Sequence, residues 1–166
     1  MDKDKLISQV TEFAQASVSA FLEENEGSVF YAFAFDCNSE YASVGLSFNT
    51  EEEFKKTLDD YQSTSHGEYY KTPEGIDELR YNPGDWEYVC FEILDPVSED
   101  ELAAVYGTDP DRQSAEFMDI FTRALVEFTK TPEYAKIPKT ADFKIICIDH
   151  DEDLADAEER LNQIRL

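Results

Sequence analysis

Apolar residues recur every three or four positions in two long segments of the chain, residues 5–24 and residues 112–129. That spacing collects the apolar side chains on one face of an α-helix. The first segment is followed by Glu-Asn-Glu-Gly, which ends at Gly27 and is typical of a helix end. We therefore predict a long amphipathic helix at the N-terminus and a second one before the last apolar stretch.

Four shorter segments are rich in aromatic and β-branched residues, a composition that predicts β-strands. They are residues 28–36, 41–48, 86–93 and 143–148. The first is apolar at both alternating sets of positions, so we expect it to lie centrally in a sheet. The turn-like sequence at residues 36–39 predicts that the first two strands form a hairpin.

Polar residues predict where the shorter helices begin. Asn49 or Thr50 precedes three glutamates, and Ser98 opens a capping box. A last helix is predicted over residues 153–166. The sequence contains no internal repeat or low-complexity linker. We therefore predict one α+β domain over residues 1–166, with a single, mainly antiparallel sheet of about four strands and helices packed on it.

Charge dominates the composition. The chain has 38 Asp and Glu against 14 Lys and Arg, a formal net charge of −24 on 166 residues. Disordered acidic chains are poor in aromatic residues, whereas 13% of this chain is aromatic, so we expect a folded core. A negative field of this size repels phosphate backbones and attracts basic proteins. The composition therefore argues against direct binding of nucleic acid and favours a basic protein partner.

Location in the cell is predicted from what the sequence lacks. It has no 18-residue apolar run that could span a membrane, and its N-terminus lacks the pattern of a secretory signal. The three cysteines, Cys37, Cys90 and Cys147, are odd in number and widely spaced in apolar segments. We interpret them as buried free thiols. These features predict a cytoplasmic protein that does not bind membranes, of unknown oligomeric state.

Residues 80–88 permit two interpretations. Asn82 followed by Pro83 is typical of the start of a one-turn helix, which would lead into a strand and anchor a tryptophan in the core. Alternatively, this segment forms the rim of a binding site. The side chains that such a rim would present are Arg80, Tyr81, Asp85, Trp86 and Tyr88.

The same segment resembles the Arg-Trp-Ser-Pro-Ala-Glu-Trp signature of a bacterial family known as domain of unknown function 4303. Tyr81 stands where that signature has tryptophan, Asn82 where it has serine, and Gln163 where the family usually has proline. Further motifs match in order over most of the chain: Phe30-Tyr-Ala-Phe-Ala34, Phe48-Asn-Thr-Glu-Glu52, Ile148-Asp149 and Arg160-Leu-Asn162. The resemblance implies a small bacterial cytosolic domain without an established activity, and by analogy with similar families an immunity protein of a toxin system.

A second group of polar residues follows the last predicted strand. Carboxylates and an imidazole are the ligand types of a divalent metal site. The candidate metal ligands are Asp149, His150, Asp151 and Asp153. Their spacing matches neither an EF-hand loop nor a zinc-binding His-Glu-x-x-His helix, and a solvated acidic turn that caps the last helix is the alternative.

Catalytic signals are sparse. His66 lies beside hydroxyl residues in a polar segment, residues 62–75, which we predict to be a loop without the rigid support that a nucleophile needs. The sequence has no Gly-x-Ser-x-Gly elbow, phosphate-binding glycine loop or dinucleotide fingerprint, so we predict no cofactor and no assignable catalytic residue.

These observations predict a non-catalytic cytoplasmic binding protein that engages a basic protein through its acidic surface. As an immunity protein, it would neutralise a cationic toxin. The alternative is a metal-dependent enzyme or metal-binding domain that uses the turn at residues 149–153.

Overall fold

The computed structural model describes residues 1–165 of the chain. Within this range the helices are α1 (Lys3–Glu24), α2 (Glu51–Ser63), α3 (Pro73–Arg80), α4 (Glu99–Tyr106), α5 (Pro110–Phe128), α6 (Pro132–Lys136) and α7 (Leu154–Arg165). The strands are β1 (Phe30–Asn38), β2 (Ser43–Thr50), β3 (Tyr88–Leu94) and β4 (Lys139–Asp149). Two short 3-10 helices cover Tyr69–Lys71 and Pro83–Asp85. The predicted α+β fold and its two long helices are confirmed.

The four strands form one sheet in the order β3-β2-β1-β4. β2 pairs antiparallel with both β1 and β3, whereas β4 pairs parallel with β1. The sheet is therefore mainly antiparallel, and β1 is an inner strand, as its apolar sequence predicts. In the parallel pair Cys37 lies opposite Asp149, so the carboxyl ends of β1 and β4 lie side by side at one end of the sheet.

One face of the sheet is covered by the two long helices. α1 and α5 pack against each other, and α5 also contacts β1 and β4. Phe33 and Phe35 of β1 are fully buried on this face. Phe21 of α1 stacks on Phe91 of β3 with the ring centroids 4.2 Å apart. Burial of each such aromatic side chain contributes about 1.5–3 kcal/mol. The core cluster on this face contains 26 buried residues and the other cluster 10, so this face carries most of the core.

The opposite face packs against α2, α3 and the second 3-10 helix. Its centre is Tyr31, which is fully buried among other aromatic rings. The Tyr31 hydroxyl donates to the Arg80 carbonyl oxygen at 2.7 Å and accepts from Nδ2 of Asn49 at 3.0 Å. The phenol is thus satisfied in an apolar environment, where an unpaired hydroxyl would be costly.

Side-chain caps fix several helix starts as the sequence predicts. Thr50 accepts from the Glu53 backbone amide, and Ser98 and Glu101 form a reciprocal capping box at α4. Asn82 caps the 3-10 helix at residues 83–85, which confirms the one-turn helix predicted there. These caps pair backbone amides that otherwise have no partner in the first helical turn.

Some boundaries differ from the sequence prediction. Helix α3 begins inside the segment predicted to be a loop, because Pro73 occupies its first turn and Thr72 caps it. β1 continues through residues 36–38, which were predicted to turn; the chain turns later, and Ala42 has a positive φ of 53°. β4 begins at Lys139 rather than at residue 143, because its pairing with β1 starts there.

The cysteines are free, but they are not all buried. Cys37 and Cys147 are buried, with their sulfur atoms 3.8 Å apart, whereas Cys90 is half-buried. The prediction of burial is therefore wrong for Cys90, because β3 is an edge strand. Among residues 1–165, no helix combines the length and the apolar character that crossing a bilayer requires.

Candidate functional site

The end of the sheet at which β1 and β4 both finish is covered on one side by α5. Gln113 in the first turns of α5 donates from Nε2 to the carbonyl oxygens of Ser39 and Glu40, at 3.1 and 2.6 Å. Ser39 and Ser114 also share a hydrogen bond of 2.8 Å between their hydroxyls. These contacts fix the turn after β1 against the start of α5.

The turn after β4 is hydrogen-bonded to the turn after β1. One carboxylate oxygen of Asp149 accepts from the Ser39 backbone amide at 3.1 Å, and the other lies 2.8 Å from Nδ1 of His150. Nε2 of His150 lies 3.2 Å from a carboxylate oxygen of Asp151. The imidazole therefore lies between two carboxylates, and half of its surface is exposed, which leaves it accessible from solvent.

An ion pair between Arg160 and Glu152 holds this turn against α7. Arg160 of α7 forms a two-point contact with the Glu152 carboxylate, and it donates to the Cys147 carbonyl oxygen at 2.7 Å and to the Thr122 hydroxyl at 2.9 Å. Burial opposes the charge of this guanidinium, but the hydrogen bonds with Glu152 outweigh it and raise the pKa of Arg160. Arg160 thus stays charged and joins α5, β4 and α7.

These elements surround a cavity of about 710 Å³, which we call the acidic cleft. Its lining contains seven carboxylates, one guanidinium and one imidazole. The lining residues are Ser39, Glu40, Asp111, Ser114, Ala115, Met118, Asp149, His150, Asp151, Glu152, Asp153, Asp156 and Arg160. Crevices at the carboxyl ends of strands are common ligand sites in sheets with helical crossovers.

Most of the negative charge in the acidic cleft is not balanced within the described part of the chain. Five of its carboxylates are exposed and make no ion pair there with a lysine or an arginine: Glu40, Asp111, Asp151, Asp153 and Asp156. Asp111 and Asp156 lie in first turns of helices, where the helix dipole favours a carboxylate. Glu40 and Asp151 lie in turns, so helix geometry does not account for them.

The predicted metal ligands all line the acidic cleft. Asp149 and His150 are engaged with each other and with neighbouring protein groups, as described above. Across residues 1–165, no set of three or more His, Cys, Asp or Glu side chains is arranged to hold a metal ion. Metal binding at this turn remains a prediction, which calorimetric titration with calcium, manganese and zinc can test.

The five side chains predicted as a binding rim are divided between the two faces of the sheet. Trp86 and Tyr81 are buried against Tyr31, and the Trp86 indole donates to the Arg80 carbonyl oxygen at 3.0 Å. Tyr88 packs instead with the opposite core, 5.2 Å from the Phe21 ring. These positions favour the structural interpretation of the segment for Trp86.

Arg80 and Asp85 also make contacts within the fold. The Arg80 guanidinium lies 4.0 Å from the centre of the Tyr31 ring and forms a two-point contact with the Glu51 carboxylate. Asp85 accepts from the Tyr61 hydroxyl at 2.5 Å. His66 is exposed in the turn after α2 and does not line the acidic cleft, so it is not part of that site.

A third polar group was not predicted from the sequence. Asp36 lies on the face opposite α1, where its carboxylate accepts from the Cys90 thiol at 3.5 Å. Burial raises the pKa of Asp36 and raises that of the Cys90 thiol to about 11. Cys90 has a left-handed φ of 43°, and its sulfur packs over Gly45. The only indication of this polar group in the sequence was an aspartate, Asp36, at the end of an apolar segment predicted as a strand.

The fold and the acidic cleft define an α+β domain with a negatively charged crevice at the ends of two parallel strands. The model of the domain of unknown function family DUF4303 matches residues 10–163. The chain belongs to this family, which confirms the resemblance seen in its motifs. Neither a curated protein nor a solved structure matches the chain.

Proposed function

We propose that this chain is a non-catalytic binding protein and that the acidic cleft receives cationic side chains of a basic protein partner. The observation that carries the proposal is the set of five exposed carboxylates around one cavity, which have no lysine or arginine partner among the described residues. Opposite charge across an interface speeds association and selects against acidic partners.

The cavity fits side chains rather than a whole folded surface. Its volume of about 710 Å³ lies in the range of small-ligand pockets, roughly 300–1,000 Å³. Ser39, Ser114 and His150 add hydrogen-bonding groups to the carboxylates. Asp149 and Glu152 already accept hydrogen bonds from protein groups and thereby fix the turn, so a lysine or arginine side chain inserted there would meet the five exposed carboxylates on a fixed support.

The most specific form of the proposal is an immunity protein whose partner is a cationic toxin such as a nuclease. Such a partner must bind phosphate backbones, so its own binding surface is positive. An acidic protein that covers this surface blocks the nuclease without any chemistry. If a toxic basic protein is encoded beside its gene, coexpression of the two should then restore cell growth.

The cleft itself can be tested with a defined probe, an arginine-rich peptide, and two matched double variants. Glu40→Gln with Asp151→Asn removes two charges from the acidic cleft. Glu12→Gln with Asp77→Asn removes two exposed charges from α1 and α3, outside the cleft lining. Both variants change the net charge equally, so any difference in affinity reports on location.

We expect the cleft variant to weaken peptide binding about tenfold and the control variant much less, with association slowing steeply as salt rises. Calorimetry and stopped-flow measurements would give both quantities. Equal weakening by the two variants, or no binding at low salt, would refute a site in the cleft.

A further inference from the structure

The outer edge of β3 is open. β3 is the last strand on one side of the sheet, and its only strand partner among residues 1–165 is β2. Apart from pairing within the sheet, residues 87–97 make no backbone-to-backbone hydrogen bond in that described range. The opposite edge differs, because α7 packs against β4. An open edge presents unpaired amide and carbonyl groups to another chain.

The side chains along this edge are partly apolar. Val89 and Ile93 are 42% and 56% exposed. Regular pairing with β2 covers Glu92, Ile93 and Leu94, whereas the left-handed backbone at Cys90 interrupts the strand before them. The segment that can accept another strand is therefore short, from residue 91 to residue 94.

The charged residues of β3 and of the segments that flank it are all acidic. The sequence has no lysine or arginine between Arg80 and Arg112. Glu87, Glu92, Asp95 and Glu99 are exposed, and none of them forms an ion pair within the described residues. A second copy of this chain would bring another net charge of −24 to the edge, so charge disfavours self-association.

We propose that the outer edge of β3 binds an extended segment of a partner protein, rich in lysine or arginine, by strand addition. Backbone hydrogen bonds to residues 91–94 provide affinity, and an apolar residue of the segment packs beside Ile93. Basic residues on either side meet Glu92 and Asp95. The inference rests on the proposed basic partner but uses a surface distinct from the acidic cleft.

The probe is a synthetic peptide of alternating lysine and valine, about as long as a typical strand. A second peptide of the same sequence carries N-methyl groups on alternate amides, so it keeps the charge and loses the backbone donors. Ile93→Lys places a positive charge on the edge of the full-length protein. Val29→Lys is the matched control, because Val29 is 48% exposed and precedes β1, two strands away from β3.

We expect the unmodified peptide to slow amide hydrogen exchange at residues 91–94, and the N-methylated peptide to have no such effect. Ile93→Lys should weaken binding about tenfold more than Val29→Lys, since like charges then face each other. Equal binding of the two peptides, or equal effects of the two variants, would overturn strand addition. So would a dimer of the free protein that Ile93→Lys dissociates.

The two sites are distinguishable in the same assay. If peptide binding is weakened by Glu40→Gln with Asp151→Asn but not by Ile93→Lys, the acidic cleft is the site and the edge proposal fails. If Ile93→Lys weakens binding and the cleft variant matches its own control, the edge proposal stands and the cleft proposal fails.

Discussion

The contact between Gly45 and Cys90 gives a quantitative test of the fold around the unpredicted polar group. A methyl group added at Gly45 would lie 2.5 Å from the Cys90 sulfur and 3.1 Å from its Cβ. Both distances are shorter than ordinary contacts, and the next neighbour, the Asp36 carbonyl oxygen, lies at 3.4 Å. Gly45→Ala therefore creates one steric conflict, and the Cys90 side chain is its cause.

Overpacking of this kind costs about 1–3 kcal/mol, so Gly45→Ala should lower the free energy of unfolding by that amount. Cys90→Gly removes the conflicting atoms. It also relaxes a left-handed backbone that costs about 1–2 kcal/mol, but it adds about 0.4–1 kcal/mol of entropy to the unfolded chain and removes the thiol that donates to Asp36. The double-mutant cycle subtracts the effect of the single Cys90 variant, so only the coupling energy is decisive. In the Cys90→Gly background Gly45→Ala should cost less than about 0.5 kcal/mol.

Urea unfolding measures all four proteins of this double-mutant cycle. The single tryptophan, Trp86, is buried and should report the transition by fluorescence. Gly84→Ala is the control, because its nearest neighbour atom lies at 3.5 Å and no conflict arises. A coupling energy below about 0.5 kcal/mol would refute the packing of the Cys90 sulfur over Gly45.

Three further predictions concern single side chains. Burial raises the pKa of Asp36. At a pH above that raised pKa, the ionised carboxylate therefore lowers the free energy of unfolding, and this penalty disappears as the pH falls below the usual value of 3.8. Asp36→Asn should therefore raise Tm at neutral pH more than the exposed Asp77→Asn does, and the difference should vanish in acid; equal shifts at neutral pH would contradict this. Tyr31→Phe should cost about 1–3 kcal/mol in urea unfolding, because the buried Asn49 amide loses its hydrogen-bond acceptor, although the Arg80 carbonyl keeps its bond from Trp86; the exposed Tyr41→Phe should change little. Arg80→Lys should lower stability by about 1–2 kcal/mol through its lost stacking on an aromatic ring and leave peptide binding unchanged; weaker binding would return Arg80 to the candidate binding residues.

The sequence predicts a helix or strand well where residues close together in the chain determine its structure. The periodicity of α1 and the capping box at Ser98 depend only on near neighbours in the chain. Helix α3 was missed because its apolar content is low and its start, Thr72-Pro73, lies in a polar segment. The length of β4 was missed because pairing with β1, rather than its own composition, sets where it begins.

The sites show the same division between local and distant information. Residues 149–153 all line the acidic cleft, and four of the five were predicted; Glu152 was not. Glu40 and Asp111 belong to the cleft only because β1 and β4 are parallel, which the sequence did not indicate. The rim at residues 80–88 was divided because the strand begins at Tyr88, so Trp86 precedes it and faces the other core.

The location of unbalanced charge distinguishes a binding surface from a general adaptation for solubility. Carboxylates gathered around one cavity repel each other, and a binding site commonly lowers stability where it concentrates like charges. If the acidic cleft is such a site, Glu40→Gln with Asp151→Asn should raise Tm more than Glu12→Gln with Asp77→Asn at low salt. The two shifts should converge as salt screens the repulsion. A basic peptide should raise the Tm of the native chain and have little effect on the cleft variant, because a ligand stabilises the state that binds it. Equal shifts in both double variants would instead indicate that the charge acts over the whole surface.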